Sequence, residues 1–135
     1  MTWLCGPVVL LVVTLCVSSA QDKDPLNVRY KSETITSPRG SSVKLTCNVF
    51  YDFELCSLPH VVWCHLSKQS VELTDPRRYL TTVNETVSED NMRHRQVVTE
   101  ILSLTPEDSG QFQCKAECEG IETVLGHYIW ITVRG

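Results

Sequence analysis

The chain has 135 residues, with 12 basic against 16 acidic side chains and a formal net charge of −4, which excludes the basic surface that nucleic-acid binding demands. Its hydrophobic fraction of 42% is enough for a packed interior, and its length allows one core and no second.

Residues 1–20, "MTWLCGPVVLLVVTLCVSSA", contain no charged side chain and hold an apolar run from Val8 to Val17. Ser18 and Ala20 stand at the −3 and −1 positions of a cleavage site, so the segment reads as a secretory signal cut before Gln21. A membrane anchor is the competing reading, but the run is shorter than the roughly 20 apolar residues that span a bilayer. Taking 20 residues from 135 leaves 115 in the range 21–135, which is expected to form one extracellular domain, secreted or displayed on a plasma membrane. Cys5 and Cys16 leave with the signal. Of the seven cysteines five remain, Cys47, Cys56, Cys64, Cys114 and Cys118, and in an oxidising compartment an odd number leaves one thiol over.

From Gln21 onward no useful stretch has helical periodicity. Short β-rich runs follow one another instead: 41–50 "SSVKLTCNVF", 60–66 "HVVWCHL", 70–73 "SVEL", 95–104 "RQVVTEILSL", 110–118 "GQFQCKAEC" and 123–133 "TVLGHYIWITV". Turn formers such as "SPRG", "TDPRR" and "TPEDSG" separate them, which predicts an all-β sandwich. Alternation assigns the faces. Val43, Leu45 and Cys47 point one way along their strand, and Ile129, Ile131 and Val133 point inward along the last, leaving Tyr128 and Trp130 outward. The segment 88–96, "SEDNMRHRQ", reads as a solvated polar turn, and Asn84-Glu85-Thr86 is an acceptor sequence for N-linked glycosylation.

Cys47, then Trp63 sixteen residues later, then "LTPEDSGQFQC" ending at Cys114, resemble an immunoglobulin domain of variable or intermediate type. The resemblance implies an immunoglobulin-like β-sandwich with a Cys47–Cys114 bridge packed against Trp63. Phe112 stands where such domains carry tyrosine. Within that fold Cys56, seven residues before Trp63, and Cys118, four after Cys114, approach the same end of the sandwich, which predicts a second bridge, Cys56–Cys118; Cys64–Cys118 is the alternative. Cys64 follows an inward tryptophan, so alternation predicts that it is exposed on the outer face, either free or bridging two copies in a disulfide-linked homodimer. Its neighbour His65 faces the other side of the strand, so no activated nucleophile is expected. Zinc would need two closely spaced cysteine pairs, and Cys114 is committed to its bridge. Neither enzymatic activity nor a metal, cofactor or small-molecule substrate is expected.

The stretches "LNVRYKSE", "LPHVVWCHL" and "SVEL" are similar to ectodomains of the B- and T-lymphocyte attenuator family of inhibitory immune receptors. That resemblance implies a receptor domain that binds a cell-surface protein of the tumour-necrosis-factor-receptor superfamily through one edge of the sandwich, at positions matching Lys31 and His60 here. In that family the thiol after the tryptophan pairs with a cysteine for which "SKQSVEL" has no counterpart. Tyr128 and Trp130 form a competing ligand surface, because exposed aromatic residues are enriched at interfaces. A secreted decoy or an adhesion module is the alternative function.

Overall fold

Val43, Leu45, Cys47, Val49 and Tyr51 are buried and the residues between them are not, so the backbone of 43–52 has one apolar and one polar edge and settles as a half-buried strand. The same logic runs through the chain in a computed structural model, which describes residues 24–88 and 90–135; the signal expected at 1–20 lies outside the described residues. Nine strands follow in order: β1 (Leu26–Arg29), β2 (Glu33–Pro38), β3 (Val43–Asp52), β4 (His60–His65), β5 (Val71–Glu72), β6 (Tyr79–Val87), β7 (Met92–Ile101), β8 (Gly110–Cys118) and β9 (Ile121–Arg134). They form two sheets, β1-β3-β7-β6 and β2-β9-β8-β4-β5, which is the predicted sandwich. All ladders are antiparallel except β2–β9, where Glu33 to Pro38 run alongside Ile129 to Arg134 in parallel. The short β5 forms one edge of its sheet and β2 the other.

The inward faces of both sheets supply one core. Trp63, Tyr51, Phe112, Leu45, Ile101, Leu104 and Ile131 are its largest fully buried side chains. Trp63 lies opposite Cys114 in the β4–β8 ladder, and Cys47 is bonded to Cys114 across the sheets. The second bridge joins Cys56, in the β3–β4 connection, to Cys118 at the end of β8. Both pairings are those expected, and among the described residues Cys64 is the free cysteine.

Four strands differ from the expected pattern. β1 and β2 arise from a single N-terminal stretch divided between the two sheets, so Lys31 falls in the crossover and not in a strand. β6 shows no alternation because all but its first residue are exposed. β7 begins at Met92, so the turn expected through residue 96 is shorter: Arg95 sits in the ladder opposite Glu85 and is ion-paired with it at 2.9 Å.

Candidate functional site

The outer face of the β2-β9-β8-β4-β5 sheet carries most of the residues singled out in the sequence. Ladder register places Trp130 opposite Gln111 and Tyr128 opposite Gln113 on β8. Further along, Lys115 is opposite Val62 and Glu117 opposite His60 on β4, while Cys64 is opposite Glu72 on β5. Tyr128 and Trp130 are 47% and 48% exposed, large areas for aromatic rings on a sheet face.

Cys64 faces this surface as alternation requires, but it is 4% exposed and not open to solvent as expected. The physical reason lies one strand away. Lys115 Nζ bonds Glu72 Oε2 and Glu117 Oε1, each at 3.0 Å, so the lysine crosses over β4 to reach β5 and its stem covers Val62 and Cys64. These two carboxylates hold the Lys115 ammonium well above its ordinary range. Burial pushes the Cys64 thiol up, with the positive charge of Lys115 opposing that shift. A thiol kept protonated and covered is a poor nucleophile and a poor partner for an intermolecular bridge.

His60, Glu72 and Glu117 converge at the same end of the face, with potential ligand atoms within 4.8 Å of one another. Lys115 already bridges the two carboxylates and cancels one of their two charges, so the cluster is largely satisfied from within. Nothing in the sequence spacing announced it, because its members come from three strands.

His65, expected on the side of its strand away from Cys64, is 2% exposed and lies on the inner side of β4, its ring 4.2 Å from that of Phe112. Phe112 thus exchanges the hydroxyl of the customary tyrosine for a contact with imidazole. Burial lowers the His65 pKa, and Lys68 adds to that effect. Cys64 and His65 therefore cannot meet as a nucleophile and its base.

Tyr30 is the residue that sequence reasoning missed. At the β8–β9 bulge the register jumps between Gln113 and Lys115, leaving Cys114 without a strand partner on that side. The Tyr30 hydroxyl fills the gap, accepting the Cys114 N–H at 3.0 Å and donating to the His127 carbonyl. Its ring packs 4.9 Å from Trp63. A Cβ at Gly126 would overlap that ring, which accounts for glycine at the bulge. Burial raises the phenol pKa to about 12. Two residues on, Ser32 donates to the Tyr128 carbonyl at 2.7 Å. Lys31 is consequently pinned against the aromatic end of β9, whereas His60 lies two strands away across β8. Lys31 and His60 are both exposed but do not form one patch.

Asp108, in the turn before β8, accepts bonds from Arg78 at 2.9 Å and from the Thr105 N–H at 2.8 Å, anchoring that turn to the start of β6. Among the described residues no helix is long and apolar enough to cross a membrane. No curated protein matches the chain. The profile of the immunoglobulin domain matches residues 33–130, from the first residue of β2 to Trp130 of β9. That span takes in both disulfides, β2 to β8 and most of β9, so the chain belongs to the immunoglobulin domain family, a family of typically non-catalytic modules that commonly bind protein partners.

Proposed function

We propose that this domain is the extracellular part of an inhibitory immune receptor of the B- and T-lymphocyte attenuator kind, and that it binds a cell-surface protein of the tumour-necrosis-factor-receptor superfamily. The observation that carries the reading is the exposed pair Tyr128 and Trp130, set directly beside the free edge of β2 and the Lys31 crossover. Aromatic rings in this position supply burial energy, an edge strand supplies unpaired backbone groups, and a lysine steers an acidic partner. The footprint extends from the β2 edge over Tyr128 and Trp130, with His60 at its far margin.

The test is surface plasmon resonance of the purified domain against a panel of tumour-necrosis-factor-receptor superfamily ectodomains. With a binder found, Trp130→Ala is expected to weaken it by about 30-fold, the equivalent of about 2 kcal/mol, and Lys31→Ala chiefly to slow association. If Lys31→Ala and His60→Ala weaken binding while Trp130→Ala does not, the ligand docks on the edge without the aromatic pair. Absence of any binder in the panel removes the proposed partner class.

A further inference from the structure

An unprotected sheet edge invites pairing with another chain, and folded proteins blunt such edges with short strands, lysine, proline or covering segments. Three of the four edges here follow that rule. β5 has two residues, β1 has four and ends at Arg29, and β2 ends in Pro38. β6 does not. It is nine residues long and its far flank pairs with no other strand among the described residues. Between Tyr79 and Val87 there is no lysine, arginine or proline, and the single charge, Glu85, is engaged by Arg95. Leu80, Val83 and Val87 are 54%, 57% and 71% exposed. By itself such a strand is an aggregation hazard.

The acceptor sequence Asn84-Glu85-Thr86 lies in this strand. Asn84 is exposed and stands opposite Gln96, one residue out of phase with Val83, whose partner Val97 is buried; its amide therefore leaves the outer face of the sheet. We propose that Asn84 carries an N-linked glycan and that this glycan is the device that prevents β6 from pairing with a second copy of the chain. In the transfer, the Asn84 side-chain nitrogen displaces the lipid diphosphate from the anomeric carbon of a lipid-linked oligosaccharide. A nitrogen–carbon bond forms, the carbon–oxygen bond to the diphosphate breaks, and one amide proton is released. Rooted on an edge strand, a branched and strongly hydrated oligosaccharide denies a second strand access to the open flank. The inference rests on entry into the secretory route, which residues 1–20 lead one to expect, and is independent of what the opposite sheet binds.

The test expresses the full chain in eukaryotic cells and recovers it from the medium. Peptide mass mapping with and without peptide N-glycosidase is expected to locate a glycan on Asn84. Thr86→Ala, which destroys the acceptor sequence, is expected to abolish the glycan and to raise self-association at least tenfold by sedimentation velocity. Adding Leu80→Lys to that variant, a charge on the same strand, is expected to restore the monomer. Should Thr86→Ala impair secretion, trimming the native secreted protein to one sugar with an endoglycosidase serves in its place, with the same expected rise. An unmodified Asn84, a chain that never enters the secretory route, or a sugar-free protein as monomeric as the glycosylated one overturns the proposal.

Discussion

The Tyr30 hydroxyl closes the β8–β9 bulge together with the Gln113 side chain, which donates to the Gly126 carbonyl at 2.8 Å, and its removal is a sharp test of the packing there. Tyr30→Phe keeps the ring against Trp63 but leaves the Cys114 N–H without its partner. The expected loss is about 1–3 kcal/mol, read as a lower denaturation midpoint at unchanged slope. Cys64 gives a second residue-scale prediction. In the native protein it is expected to resist a charged thiol reagent, and Lys115→Ala, which removes its cover, to make it reactive without unfolding the domain. The bridged cysteines and Trp63 were legible because each carries a type and spacing that few other folds use. Cys64 was legible only in direction. Alternation tells which face a side chain leaves by, not which long side chain from a neighbouring strand lies on top, and the Lys115 contact joins residues 43 apart.

At the scale of elements, β4, β8 and the turns flanking them share the buried His65. Burial keeps its pKa below the ordinary 6.5, so as the pH falls the unfolded chain takes up the proton first. Stability contributed by neutral His65 is fully present above 6.5 and declines from there down to the lower native value, below which the loss levels off. Urea unfolding at about pH 7.5 and about pH 5.5 is expected to show a drop that His65→Leu diminishes. The turn before β8 is tied to the start of β6 by Arg78 and Asp108, with the carboxylate 5% exposed. Asp108→Asn is expected to cost about 2 kcal/mol in the same assay, since it removes the counter-charge of a partly buried arginine. Strands with one face on the core announced themselves by alternation, as β3 and β9 show. β6 did not, because neither of its faces has that contrast, and the division of the N-terminal stretch between two sheets falls at the Tyr30 contact, to which no local pattern points.

At the scale of the whole molecule, two bridges constrain the chain over 67 and 62 residues. On the chain-entropy account each contributes about 4 kcal/mol by restricting the unfolded state. Replacing Cys56 and Cys118 together by serine is expected to leave a folded sandwich, held by Cys47–Cys114 and Trp63, with a thermal midpoint lowered by roughly 10–20 °C in calorimetry. The fold class was legible at this scale from cysteines, tryptophan and turn spacing. The surface was less so, because the exposed face is assembled from five strands drawn from Glu33 to Arg134 and only the β9 aromatic pair lies within one of them.

The parallel pairing of β2 with β9 has a mechanical consequence. The polypeptide enters β2 at Glu33 and leaves β9 at Arg134, at opposite ends of six residue pairs. Tension drawn between those two points runs along the strands, so the hydrogen bonds linking them are loaded together in shear instead of being peeled apart one at a time. A domain loaded between β2 and the end of β9 must break that whole row before the two strands separate, and its lifetime under such a load is governed by that barrier.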